Sequence, residues 1–402
     1  MKWVWKYCMV FVCLIAGYLL FGVVSQLLPN KPIERHIQRT MDNVDLAADF
    51  SFAVVCRPEL YMDNFTDALI ANQAVCGGSD NLWTNVMLVP RYTDWDSESG
   101  SLRHVVARDT VLPEVHYARY WHGSTFVMRW LLQVEDYTML RLLFYVLSSL
   151  LVLWVCVALW QRLSPIVAGT YLLSLLLVNM FIMQLSIQFL PVLVIALCAT
   201  LWVLYRVKRP SQICMTLFVV GSLTVYFDLL TCPALTWGMP LCVYLLKNER
   251  DILSRRLATA GGASVLWAVG YSVSWVMKWV LATLTTSENV LRDGFREFTV
   301  RSGAAQDVTR WDAMMRNVDM VSWVWVCVIL VALIVLAVFH FRRRGWTTAL
   351  LCLLVAVPPM LWYLVAADHS YLHFWFTYRS MAVVLFALFA TVASLVEVRL
   401  KK

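Results

Sequence analysis

Charged residues are scarce in this chain. They make up 15% of its 402 residues, where a soluble protein carries about a quarter. That shortage excludes an ordinary water-soluble globule, and a mean hydropathy of +0.67 agrees. Nucleotide-binding signatures are missing as well: there is no P-loop and no GxGxxG turn. No internal repeat or low-complexity tract occurs. The net charge of +7 is spread over loops instead of gathered in one patch, which argues against a nucleic-acid partner. Eleven cysteines do not make a disulfide framework, because all but Cys56 and Cys76 lie in or at the ends of apolar segments. Those two fall in a polar segment, where a pair and two free thiols are equally open readings.

What is present is a series of apolar runs near the roughly 20 residues that span a bilayer core. The pattern predicts an all-α polytopic membrane protein with about ten crossing helices, near 5–27, 140–160, 165–183, 187–205, 211–230, 234–246, 260–284, 320–341, 346–366 and 376–397. The first run, after Lys2 and Lys6, is too long for a signal peptide and lacks a small-residue cleavage site, so a retained helix is expected. Basic residues alternate with this count. Arg162, Arg206, Lys208, Arg209, Lys247, Arg250, Arg255, Arg256, Arg342, Arg343, Arg344, Arg399, Lys401 and Lys402 all fall on one side. This is the positive-inside pattern, and it predicts cytoplasmic termini in a bacterial cytoplasmic membrane. Three regions follow: a first helix, 1–28; an extracytoplasmic segment with surface helices, 29–139; and a multi-helix domain, 140–402, with an outer loop at 285–319.

The polar clusters fall on the outer side. Asp63 and Asp67 lie four residues apart and share a helix face, so one carboxyl can hold a raised pKa and act as a base, or the pair can hold a divalent cation. The plainer reading is a solvated helix with Asp63 as its N-cap. Arg119, Tyr120, Trp121 and His122 suit an anionic or sugar headgroup, against an interfacial aromatic belt with a snorkelling arginine. Asp228 is costly in an apolar stretch, or is simply a turn residue. Lys278 sits inside a predicted helix and needs a partner, either Asp228 or a bound phosphate, unless it snorkels. Glu288 and Asn289 read equally as substrate contacts or as a helix start. His369, His373, Tyr378 and Arg379 form the densest set. Ionisable groups at a membrane edge are expensive and mark working sites. The histidine spacing also suits a metal, but no third close ligand is evident, so phosphate binding is the preferred reading.

Five stretches carry a resemblance. Asp63 to Ile70 is similar to DNYADAI, Arg119 to Gly123 reads RYWHG, and Phe227 to Pro233 is similar to FDFLTYP. Lys278-Trp279 with the later Glu288-Asn289-Val290 matches SKW followed by ENV, and Asp368 to Arg379 is similar to NHSYIHxxFTYR. In this order they resemble a family of bacterial polytopic membrane proteins. That family in turn looks like the GT-C superfamily of glycosyltransferases, which use polyprenyl-phosphate sugars. The chain departs from the pattern at Asp368, where the family has asparagine. The resemblance implies an enzyme that moves a sugar from a polyprenyl-phosphate donor in the bilayer to an extracytoplasmic acceptor such as a cell-surface glycopolymer. Asp67 or Asp63 would be the base, and Arg119, Lys278, His369, His373 and Arg379 would neutralise the leaving phosphate. The alternatives are a transporter or flippase of a lipid-linked or anionic substrate, and a non-catalytic envelope scaffold.

Overall fold

The computed structural model describes residues 2–43, 46–52, 57, 60–77, 81–93, 96–303 and 308–396. Cys56 and Trp95 lie outside them. The chain begins with α1 (Lys2–Gln26). A compact segment follows: α2 (Asn30–Asp42), β1 (Phe50–Phe52), β2 (Tyr61–Asp63), α3 (Asn64–Cys76), α4 (Leu82–Leu88), β3 (Pro90–Tyr92), α5 (Glu98–Ala107), β4 (Glu114–His116) and α6 (Gly123–Leu131). The bundle then comprises α7 (Tyr137–Arg162), α8 (Pro165–Leu176), α9 (Met180–Leu185), α10 (Leu190–Tyr205), α11 (Pro210–Phe227), α12 (Ala234–Lys247) and α13 (Leu253–Thr285). It continues with α14 (Val290–Ser302), α15 (Arg310–Val318), α16 (Trp323–Phe339), α17 (Trp346–Val355), α18 (Val357–Val365), α19 (Ala367–Leu372), α20 (Phe374–Thr377) and α21 (Met381–Ala393).

The fold is helical and built for a membrane. Six stretches are long and apolar enough to cross one: Trp3–Gln26, Tyr137–Arg162, Pro210–Phe227, Leu253–Thr285, Arg343–Val365 and Phe374–Ala393. α15 and α16 pass the same test together, but bend by 68° at their junction. The other predicted crossings are shorter. The helix expected over 165–183 breaks where Asn179 adopts a left-handed φ of 54°, leaving α8 with 12 residues. At 1.5 Å per residue that is about 18 Å, against roughly 30 Å of bilayer core.

Segment 29–139 is expected to consist of surface helices. It does contain short helices, but also two antiparallel strand pairs, β1 with β2 and β3 with β4. It is held together, and to the end of α1, through buried polar anchors. Arg129 on α6 is the main one. Its guanidinium donates to the carbonyls of Ser25 (2.9 Å), Leu28 (2.8 Å) and Ala74, and to Asn30 Oδ1 (3.0 Å). The ends of α1 and α3 and the start of α2 are thereby held on one side chain.

Within the bundle, the stretch Phe374–Ala393 is the most enclosed, with 83% of it buried, while α1 is peripheral at 17%. α11 and α13 cross at backbone contact. A Cβ on Gly221 would lie 2.2 Å from Trp267 O, and one on Gly270 would lie 2.1 Å from Phe218 O. Small residues at such crossings let helices approach where no water-driven force joins them. Ser222 and Ser274 hydrogen-bond across the same contact at 2.7 Å. Because α13 carries most of the aromatic wall described below, this crossing sets where that wall stands. Replacing Gly270 by valine sets a side chain against the Phe218 backbone, which cannot rotate away. We expect a loss of about 3 kcal/mol, the upper part of the overpacking range, read as a lower melting temperature of the detergent-purified protein.

Candidate functional site

The site begins with a period in α13. Trp267, Tyr271, Trp275 and Trp279 recur every four residues, so they stack along one face. Neighbouring rings are 5.3, 5.8 and 5.4 Å apart, and Trp279 meets Phe295 of α14 at 5.6 Å. The ladder covers about 18 Å of helix axis. Opposite it stand Trp237, Pro358, Pro359 and Trp362, and between them lies an apolar groove of about 550 Å³.

At one end the groove adjoins a small chamber of about 30 Å³, its walls mostly apolar, bordered by Arg119, Tyr120, Leu230, Glu297 and Arg301 and sharing Trp275, Trp279 and Trp362 with the groove. The indole N–H groups of Trp275 and Trp279 both donate to Arg119 O at 2.8 Å. Trp121 donates to Ser274 O at 2.8 Å, so the Arg119–Trp121 strip is stitched to α13. Tyr120 stacks on Trp275 at 5.6 Å. His122, with φ 58°, caps α6. Gly123 follows because a Cβ there would strike the Tyr226 ring at 2.5 Å.

Inside the chamber, α14 presents acids and a base on one face. Arg301 Nε donates to Glu297 Oε1 at 2.8 Å, while Glu297 Oε2 lies 3.9 Å from Arg119 Nη1. Arg119 also pairs with Asp293 at 3.1 Å. Arg301 Nη1 reaches His369 Nδ1 at 2.8 Å, and His369 Nε2 reaches Leu230 O at 2.8 Å. A guanidinium only donates and a carbonyl only accepts. His369 is therefore the neutral tautomer with its proton on Nε2. Burial, then the neighbouring His373 and Arg301, holds its pKa well below the ordinary value. Burial and Arg301 depress His373 to about 4, and burial depresses His122 to about 3. At neutral pH these three histidines offer hydrogen bonds, not positive charge. The cations of the chamber are Arg119 and Arg301. Leu230, whose carbonyl holds His369, sits at φ 67°, and backbone strain of this kind collects at functional sites.

The two expected catalytic carboxyls are both buried, and they differ. Asp67 is fully enclosed and accepts five hydrogen bonds, from Tyr137 Oη, Arg141 Nη2 (3.3 Å), Ser186 Oγ (2.9 Å), Ile187 N (3.3 Å) and Gln188 N (3.1 Å). It joins α3, α7 and the turn before α10. Asp63 is the N-cap of α3, its Oδ1 accepting from Thr66 N at 3.1 Å. Its Oδ2 accepts from Trp375 Nε1 at the long distance of 3.4 Å. Burial and the Asp67 charge push its pKa up to about 6, against the Thr66 and Trp375 hydrogen bonds. Trp375 stands 5.3 Å from the His373 ring, and His373 stands 4.9 Å from His369. Asp63 thus reaches the chamber through the histidine turn and does not line it.

The remaining predicted residues sit around this centre. Lys278 is held by carbonyl groups and not by Asp228. Its ammonium donates to the carbonyls of Val86 and Met87 at 2.8 Å each, closing the C-terminal turn of α4, and lies 5.6 Å from the Trp121 ring. Asp228 Oδ1 accepts from Thr231 N (2.9 Å) and Thr231 Oγ1 (2.5 Å), while its Oδ2 is buried without a partner. Burial lifts its pKa to about 6. Glu288 accepts from His116, and Asn289 caps α14, so both position α14. Tyr378 and Arg379 lie deeper. Tyr378 donates to Val178 O at 3.1 Å, and Arg379 donates to Trp375 O at 2.7 Å with its guanidinium over Phe189. Among the described residues no three of His, Cys, Asp or Glu gather to hold a metal ion. The sequence reading omitted Arg301, Glu297 and the tryptophan ladder. The signals were there: a four-residue aromatic period, and Asp293, Glu297 and Arg301 at the same spacing.

No family model, no curated protein and no solved structure matches the chain.

Two measurements separate the carboxyls. Asp67→Asn leaves Arg141 buried beside a neutral group and should cost about 3–5 kcal/mol, read by thermal unfolding. Asp63→Asn keeps the cap and removes a group whose ionisation folding opposes. A raised carboxyl pKa means stability is lost as pH rises from 3.8 through about 6. Asp63→Asn should therefore melt progressively higher than the parent protein between pH 4 and pH 7.

Proposed function

We propose that the protein is a membrane glycosyltransferase of GT-C type, taking a sugar from a polyprenyl-phosphate donor to a glycopolymer acceptor outside the cytoplasm. The observation that carries this reading is the junction of an aromatic groove with a chamber holding two guanidinium groups. An amphiphile with a long apolar chain and an anionic head needs such a junction. The chain lies along Trp267–Trp279, and the phosphate meets Arg301 and Arg119, whose planar donors suit phosphate oxygens. Charge that builds on the departing phosphate is stabilised by these fixed donors in a site from which water is largely displaced.

In this reading the acceptor comes from the Asp63 side of the histidine turn. Asp63 is the better base of the pair, because Asp67 has no lone pair left to use. A carboxyl held near pH 6 takes a proton from a hydroxyl more readily than an ordinary aspartate. Neutral His373 orients the donor sugar by a hydrogen bond, and His369, with both ring nitrogens engaged, holds Arg301 in place. Topology belongs to the same proposal. The six long stretches, the bent α15–α16 pair and the three shorter apolar helices, with α8 and α9 taken as one broken crossing, together make ten crossings, with both termini cytoplasmic and the chamber extracytoplasmic.

The test uses purified protein in liposomes with a panel of polyprenyl-phosphate sugars, measuring release of polyprenyl phosphate. Arg301→Gln should lower turnover at least about ten-fold, the worth of one charge-assisted hydrogen bond. Glu297→Gln should lower KM for the donor, because it frees both arginines from a competing carboxylate. Consumption of none of the sugars would sink the enzyme reading. Movement of an intact lipid-linked sugar across the bilayer would favour a transporter.

A further inference from the structure

A second lipid-facing groove lies at the other end of α7. The Asp67 shell uses Tyr137 and Arg141 at the start of this helix, while Arg162 ends it. The two positions are about 30 Å apart along the axis. Here α7 and α10 leave an open, largely apolar channel of about 580 Å³, walled by Leu151, Trp154, Leu201 and Trp202 and ending at Tyr205 and Arg206. The guanidinium of Arg162 lies over the Tyr205 ring, 4.6 Å from its centre.

The charges around this end are unevenly committed. Lys247 spends its ammonium on the carbonyls of Val203 (2.8 Å), Leu204 (3.0 Å) and Val207 (2.6 Å). Arg342 is paired with Glu249 at 2.5 Å. Arg256 is buried against Leu245 O and Thr348 Oγ1. Arg162 and Arg206 are exposed, and neither makes a hydrogen bond or ion pair among the described residues. Beyond Arg162 a polar bowl of about 470 Å³ adds Arg250 at its rim, with Asp251 and the paired Glu249 as its carboxylates. An apolar channel therefore opens beneath two guanidinium groups that have no carboxylate partner among the described residues.

We propose that this is a binding site for an anionic glycerophospholipid, separate from the donor site. One acyl chain lies along Trp154 and Trp202, and the phosphodiester is taken by Arg162 and Arg206. The channel runs about 12 Å along α10 from Cys198 to Arg206, room for roughly half an acyl chain below the headgroup. Juxtamembrane arginines draw anionic headgroups, and the apolar channel selects a lipid over a soluble phosphate.

The experiment places the full-length protein in nanodiscs of phosphatidylcholine, with a minor fraction of either phosphatidylglycerol or phosphatidylcholine brominated on the acyl chains. Bromine quenches tryptophan on contact. Half-maximal quenching should need about ten-fold less brominated phosphatidylglycerol than brominated phosphatidylcholine. That preference should vanish in Arg162→Gln/Arg206→Gln, whose exposed sites leave folding intact. It should shrink in Trp202→Phe, which removes a reporter from the channel wall. Equal quenching by both lipids in the parent protein would overturn the proposal, as would a preference unchanged in the double variant. Abolition of the preference by millimolar glycerol phosphate would show a soluble phosphate ligand instead, and would also overturn it. None of these readouts depends on sugar transfer, so the outcome is independent of the proposed enzymatic reading.

Discussion

A single buried guanidinium holds one face of this molecule together. Arg129 is fully enclosed, and oxygens from four residues close around it, contributed by the ends of α1 and α3 and the start of α2. The acceptors are mostly carbonyls that helix ends leave without intrahelical partners. A charge removed from water is tolerable only when every donor is met. Packing of α2, α3 and α6 against the end of α1 supplies those acceptors. Asp67 repeats the arrangement with the opposite sign, fixing α3 against α7 and the turn before α10. Gly77 stands beside the first anchor, where a Cβ would fall 2.5 Å from Arg129 Nη1. Once these anchors close, α6 lies against α1 and α3, and the Arg119–Trp121 strip before it is bonded to α13.

That placement explains the division of labour at the candidate site. Lys278, deep in α13, closes α4 and pairs with no carboxylate among the described residues. The histidines, crowded by burial and by Arg301, stay neutral. Positive charge is left on Arg119 and Arg301, which are partly exposed and already share carboxylates of α14. Such pairs, part-buried and reached by solvent, are less tightly fixed than fully enclosed ones. They can therefore exchange partners at modest cost, whereas the anchors at Arg129 and Asp67 cannot. The groove and chamber thus rest on rigid supports while their own charged groups stay available.

Several expectations met a different local physics. The Asp63 and Asp67 pair does sit on one helix, with Asp63 as the N-cap, but both are buried where a solvated face was the plain alternative. Lys278 was expected to meet Asp228 or a bound phosphate, or to snorkel, because a buried charge calls for its opposite. Helix-end carbonyls satisfy it as well, and no pattern in the chain distinguishes the two. Tyr378 and Arg379 follow the histidine turn in sequence yet point into the bundle. The helices near 165–183 and 187–205 are shorter than the apolar runs that suggested them, because Asn179 turns the chain within the first run.

The order of the amino acids alone determined the membrane character, the apolar runs and the grouping of polar clusters at the ends of those runs. These follow from local composition and from the period of hydrophobic residues, which act over one helix at a time. It also carried the α13 aromatic stripe, since a four-residue spacing places rings on one face whatever the rest of the fold does. Tertiary structure decided which charges are spent and which are free. Arg129 and Arg301 look alike in sequence, yet one is closed in by carbonyls and the other opens onto a chamber. The difference arises from residues up to about a hundred positions away that meet only after packing. Hydrogen-bond satisfaction is a property of the assembled neighbourhood, and no single stretch of the chain contains it.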